Sequence, residues 1–217
     1  MKDALFDPIG LIVIVSLLSL GPLLAVTATS FLKISAVLLI LRNALGLQQV
    51  PPNMALYGMA MVMSVVVMGG TFYKSVDLFK IHGQWPNTGV EIIEGIERAS
   101  PVLKDFMKSN CSPESVGSMF EIAKKFNAKY GGELVTPNDF VVIMPAFVIS
   151  EISAAFKIGF AIYLPFLVID LAVSCILMAL GMMMVSPMSI ALPLKILLFV
   201  SIDGWRKLLL ALTNSYL

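Results

Sequence analysis

An apolar tract from Phe140 to Val185 constrains this chain more than any other feature, because it is greasy enough for a membrane yet contains Glu151, Lys157 and Asp170. An ionised side chain facing lipid costs about 2.5–3.5 kcal/mol even on a lenient insertion scale. Each of the three must therefore meet protein or water. A second arm, Ile190–Ile202, repeats the conflict with Lys195, and the N-terminal arm Ile9–Leu41 repeats it with Lys33. A chain of 217 residues has few helices with which to enclose five such groups, which predicts an oligomer whose neighbouring subunits share the shielding. Small residues spaced for close helix contact, Ala155 with Gly159 and Ala60 with Ser64, fit that arrangement.

Charge then divides the chain. Between Tyr73 and Asp139 lie 8 basic and 9 acidic residues, more than half of the protein's charge. Over the whole sequence only 13% of residues are charged and 58% are apolar, against about 25% charged in soluble domains. The predicted parts are an apolar helical block over 1–72, a polar helical insert over 73–136 and a second apolar helical block over 137–217. The fold class is all-α and membrane-associated, with two bent apolar helical hairpins flanking the insert.

Local signals refine this. As one straight helix Ile9–Leu41 would be about 50 Å long, well beyond the ~30 Å hydrocarbon core, and Pro22 predicts a kink or break. Met54–Phe72 carries no charge and fits one span, started by Pro51-Pro52-Asn53. In the insert, Ser100-Pro101 and Ser112-Pro113 each predict a helix start. Val116, Met119, Phe120, Ala123, Phe126 and Tyr130 keep a helical period that Gly131-Gly132 ends. Thr136-Pro137-Asn138-Asp139 is a capping-box pattern. Val26-Thr27-Ala28 resembles a signal-peptide cleavage site, but Asp3 and Asp7 oppose a basic leader and the apolar tract resumes at once, so the arm is expected to be retained.

The chemistry classes narrow quickly. A net charge of +1 excludes an electrostatic nucleic-acid binder. The sequence has no phosphate-binding Gly-x-x-x-x-Gly-Lys, no His-Glu-x-x-His and no Gly-x-Ser-x-Gly. Its one histidine, His82, sits in a turn-like stretch without metal-ligating neighbours. On a helix, Glu151 and Asp170 would be about 28 Å apart, too far to work as a pair. The expectation is a non-enzymatic protein with no cofactor and no metal. Cys111 lies in polar surroundings and Cys175 in apolar ones, which predicts two free thiols.

Methionine is the distinctive residue. Of 14, ten fall in two groups: Met54, Met59, Met61, Met63 and Met68, then Met178, Met182, Met183, Met184 and Met188. The plain reading is gap filling by an adaptable side chain. A small-molecule or Cu(I) transporter is the alternative, since thioethers suit Cu(I) and Met59/Met63, Met178/Met182 and Met184/Met188 are spaced i,i+4. A third reading applies to Met182-Met183-Met184. Three adjacent side chains cannot share one helical face, but at a bend between Gly181 and Ser186-Pro187 all three can point toward one axis. Repeated around a ring of subunits, they would form a deformable apolar collar.

Three stretches give the chain a family resemblance. Thr29-Ser30-Phe31 with Leu41-Arg42-Asn43-Ala44-Leu45-Gly46 is the first. Ile158-Gly159-Phe160 through Pro165-Phe166-Leu167-Val168-Ile169-Asp170 is the second. The third is Leu177–Pro187 with Leu192-Pro193 and Asp203-Gly204-Trp205. Together they resemble the type III secretion export-gate family of the flagellar FliP and its injectisome counterparts (SctR, YscR).

The resemblance implies a five-fold ring with two smaller export-apparatus membrane proteins, near the large export-gate and switch subunits. Such an assembly is an entry portal for unfolded secreted proteins in the bacterial inner membrane, with many apolar segments bent and raised out of the bilayer plane among the lipids. It also implies that Met182, Met183 and Met184 are the gasket, and that Lys33, Arg42, Glu151, Lys157 and Asp170 are subunit-interface residues. The insert and both termini would be periplasmic and Arg42 cytoplasmic, although Arg206 and Lys207 run against the positive-inside rule. Flagellar members carry an N-terminal extension with a cleavable signal that this sequence does not show, so an injectisome member is expected.

Overall fold

Helices in this protein run through prolines that the sequence marks as breaks. The computed structural model describes residues 8–217 apart from 82, 87, 132, 133 and 183, so His82 and Met183 lie outside the described residues. The described residues form eight helices and no strand: α1 (Pro8–Thr27), α2 (Phe31–Ala44), α3 (Asn53–Phe79), α4 (Gly89–Asn110), α5 (Pro113–Tyr130), α6 (Phe140–Ala179), α7 (Pro187–Ser201) and α8 (Gly204–Asn214).

Of the kink or break expected at Pro22, a break is ruled out, since α1 continues through it to Thr27. The break comes at residues 28–30, where the Thr29 hydroxyl donates to the Ala25 carbonyl and accepts the Phe31 N–H at 3.2 Å, so one side chain serves both helix ends. Ser100-Pro101 does not start a helix either, because Pro101 lies inside α4. A proline there leaves the carbonyl four residues back without its usual donor. The Ser100 hydroxyl supplies the missing bond, donating to Glu97 O at 3.1 Å.

The other caps form as the sequence predicts. Ser112 Oγ accepts the Ser115 N–H at 3.2 Å with Pro113 in the first turn. Gly131 closes α5 in the left-handed region at φ 73°. Thr136 donates its N–H to Asp139 Oδ2 at 2.6 Å and its hydroxyl to Oδ1 at 2.9 Å, one turn before α6 begins. Those backbone and side-chain bonds hold the Asp139 carboxyl below the usual carboxylate range.

The chain divides into two compact units: Met1–Leu32 with Val67–Glu151, and Lys33–Val66 with Ile152–Leu217. Polarity and compactness thus divide the sequence differently, because α3 and α6 each run through both units.

In the first unit, Ala28, Met107, Ile143 and Phe147 form the core, with Leu103, Phe106 and Phe140 packed on it. Ser112 donates its N–H to the buried Ser150 Oγ at 2.9 Å, and Ser150 donates to Ala146 O at 2.7 Å. Helix α5 buries no residue fully. Both cysteines are free. Burial, and then the Glu151 carboxylate, push the Cys111 thiol up to about 11. In a Cys175→Ser background, Cys111 should alkylate on the order of a hundredfold more slowly at pH 8 than an ordinary thiol, accelerating about tenfold per pH unit up to that value. A rate as flat as it is slow would mean that access, not ionisation, limits the reaction.

In the second unit, Ile34, Val37, Leu38 and Leu41 of α2 are buried. Ala155 and Gly159 turn to the buried side of α6, where a Cβ on Gly159 would meet Ile40 Cδ1 at 2.6 Å. Ala60 and Ser64 of α3 are buried as well. Among the described residues, α3 and α6 are long and apolar enough to cross a membrane, and up to four spans result if each bent helix pair counts as one. Only 22% and 17% of the apolar windows of α3 and α6 are buried by the chain itself.

Candidate functional site: the methionine loop and its hairpin

The turn after α6 follows from one glycine. Gly181 sits at φ 71° and donates its N–H to Met178 O at 3.1 Å, while Met182 donates to Leu177 O at 2.9 Å. This pair of bonds satisfies carbonyls that a helix end otherwise leaves open and turns the chain away from the axis. Met182 and Met184 therefore stand outside any helix, 44% and 101% exposed. Val185 donates to Met182 O at 3.3 Å, and α7 restarts at Pro187 with Ser189 Oγ donating to Ser186 O.

Below the loop the two arms are joined in layers. Val173, Leu177 and Ala191 form an apolar cluster with Ile169 and Val185 packed on it. Next, Lys195 Nζ donates to Asp170 Oδ2 at 2.6 Å and to Ala44 O, in the last residue of α2, at 3.1 Å. The Lys195 side chain is 8% exposed and that of Asp170 41%. Farther down, Phe199 lies 6.4 Å from the Phe166 ring and meets Trp205 edge-on at 5.4 Å. Gly204 leaves room for Phe199, since a Cβ there would lie 2.3 Å from the ring.

The remaining predicted residues fall at different places. Lys33 is buried with its ammonium 3.5 Å from the Tyr216 ring centroid. Arg42 donates through Nη1 to Asn53 Oδ1 at 2.5 Å and Pro51 O at 3.3 Å, while its buried Nε has no hydrogen-bond partner. Glu151 is buried in the first unit. Lys157 is exposed on α6, between the exposed Phe156 and Phe160, and forms no ion pair among the described residues.

The premise that one small chain cannot shelter its charges is thereby corrected: Lys33, Glu151 and Lys195 are enclosed without a second copy. The sequence marks Lys195 as a charge that needs cover but does not reveal Asp170 as its partner. The available signal was two opposite charges at similar distances on either side of Gly181.

The i,i+4 methionine spacing survives on a helix only for Met59 and Met63, because Met182 and Met184 lie beyond the ends of α6 and α7. No group of three or more His, Cys, Asp or Glu side chains among the described residues is disposed to hold a metal.

The FliP family profile matches residues 14–212, a span that contains the methionine loop, Asp170 and Lys195. The chain belongs to the FliP family. It is 43% identical to the Yop proteins translocation protein R of Yersinia pestis over 212 residues, 97% of both chains. It is 44% identical to the harpin secretion protein HrcR of Erwinia amylovora over the full length of both. Against the flagellar biosynthetic protein FliP of Caulobacter vibrioides it is 40% identical over 96% of this chain and 76% of the relative. As a FliP-family protein with long apolar helices, it is a component of a type III secretion or flagellar export apparatus and an inner-membrane protein.

Proposed function

We propose that this protein is a conduit subunit of the export gate, which lines the portal through which unfolded secreted proteins cross the inner membrane. Five copies surround an axis, together with two smaller membrane partners and beside the large export-gate and switch subunits, and the polar insert faces the periplasm. Met182, Met183 and Met184 of each copy form a collar that blocks small solutes at rest. Thioethers are unbranched and adaptable, so such a collar yields to cargo of any shape.

The observation that carries this reading is the loop itself: its described methionines stand exposed on a turn that satisfies its own backbone. Of the residues expected at subunit contacts, Arg42, Lys157 and Asp170 are read as reaching a neighbouring copy, whereas Lys33 and Glu151 are enclosed by their own chain. Lys157 has the strongest support, being a cation on an apolar helix face that its own chain leaves uncovered.

The test replaces Met182, Met183 and Met184 together by alanine in the assembled complex. Small-ion leakage through vesicles should rise several-fold while the high-mass assembly persists on native gels. Conductance at the wild-type level in an intact assembly would remove the sealing role.

A further inference from the structure

We infer that the cleft between α3 and α4 binds one phospholipid with a phosphoethanolamine headgroup, whose phosphate meets Lys74 and whose ammonium meets Asp105. The site does not depend on the methionine collar and needs only an inner-membrane setting.

Two helical stripes of the same spacing make the cleft. Val67, Gly70, Thr71 and Lys74 stand at i, i+3, i+4 and i+7 on α3, and Val102, Asp105, Phe106 and Ser109 repeat the pattern on α4. All belong to the first unit. The cleft holds about 520 Å³, within the ~300–1,000 Å³ usual for a small-molecule site. Its floor is fixed, because Phe106 packs on the core of that unit and meets Phe147 edge-on at 6.0 Å. Gly70 keeps it open, since a Cβ there meets no atom within 4 Å.

Depth decides what reaches it. The uncharged run Met54–Phe72 rises about 28 Å, close to the ~30 Å hydrocarbon core, and Lys74 is the first charge beyond it. From Val67 to Lys74, α3 rises about 10 Å. The cleft therefore begins beside acyl chains and ends among headgroups.

Charge decides which headgroup. Lys74 and Asp105 are both exposed on this one cleft, and neither forms an ion pair among the described residues. Opposite charges left unpaired in one cleft match a zwitterion. Its phosphate accepts from the Lys74 ammonium, and its primary ammonium donates to the Asp105 carboxylate, both charge-assisted bonds. Ser109 Oγ, which donates to Phe106 O at 2.9 Å, keeps lone pairs for another ammonium N–H. Phosphatidylcholine offers no N–H, and phosphatidylglycerol offers Asp105 no cation.

The experiment delipidates the full chain assembled with its export partners. Phosphatidylethanolamine, phosphatidylglycerol or phosphatidylcholine is then added in detergent, and native mass spectrometry counts the lipids retained. The wild type should retain phosphatidylethanolamine at concentrations about tenfold below those the other two need. Gly70→Leu, which fills the cleft, should abolish that preference. Asp105→Lys should turn it toward phosphatidylglycerol, a gain that a misfolded chain cannot show.

Equal retention of the three lipids by the wild type overturns the inference, and so does a preference that survives Gly70→Leu. If Gly70→Leu does not accumulate, Lys74→Gln takes its place, and an unchanged preference has the same meaning. Gly70→Cys in a Cys111→Ser, Cys175→Ser background should alkylate readily in the delipidated complex. A thiol that stays protected there would mean that a protein partner, not a lipid, fills the cleft.

Discussion

Alanine at Asp170 is expected to destabilise the protein by about 2–3 kcal/mol, the low side of the loss usual when one partner of a buried pair is removed. The reduction follows from the 41% exposure of the Asp170 side chain, which lets water screen part of the attraction. What remains is an ammonium only 8% exposed, keeping Ala44 O but no counter-charge. Lys195→Met should cost less, because the Asp170 carboxylate it leaves behind can reach solvent. The double replacement should approach the wild-type melting temperature. Thermal unfolding of the four proteins in detergent checks this order, and a Lys195→Met more damaging than Asp170→Ala would contradict the burial argument.

Gly204→Ala is the second large effect, at about 3 kcal/mol, the upper end of ordinary overpacking. Its methyl group would lie 2.3 Å from Phe199 Cε2 and 2.4 Å from Cδ2. The ring cannot swing aside freely, with Phe166 near one flank and Trp205 edge-on against it. The affected layer closes the base of the α6–α7 hairpin, so loss of assembled protein should accompany the lower melting temperature. Phe199→Leu in the same chain should recover part of the loss by vacating the space. If Gly204→Ala alone melts like the wild type, Phe199 does not hold its position tightly.

These two sites show what sequence can and cannot convey. The apolar helices and most caps were legible, because periodicity, Ser-Pro pairs and Gly131 are local signals. The bend at Gly181 was legible too, since glycine before a methionine run and Ser-Pro is punctuation. Proline was misleading as a helix end at Pro22 and as a helix start at Pro101. The bond a proline removes can be replaced by a neighbouring hydroxyl, as Ser100 does for Glu97, and nothing in the letters reports that acceptor. The partner of Asp170 was hidden for a different reason. It lies 25 residues away across a turn, and pairing at that range depends on the rotation of two helices about their axes. Asp203-Gly204-Trp205 resembled a family motif without a physical role, and the role emerges only when Phe199 is seen against Gly204 and Trp205.

Helix α6 carries one more consequence. Its 40 residues amount to about 60 Å of helical rise, roughly twice the thickness of the hydrocarbon layer. Fitting it wholly inside acyl chains would demand an inclination near 60°, beyond the ~40° limit seen for spanning helices. At 40° a rise of that length would still project about 46 Å, so roughly 14 apolar-helix residues must protrude into a headgroup or aqueous zone. That overhang is a standing demand for company.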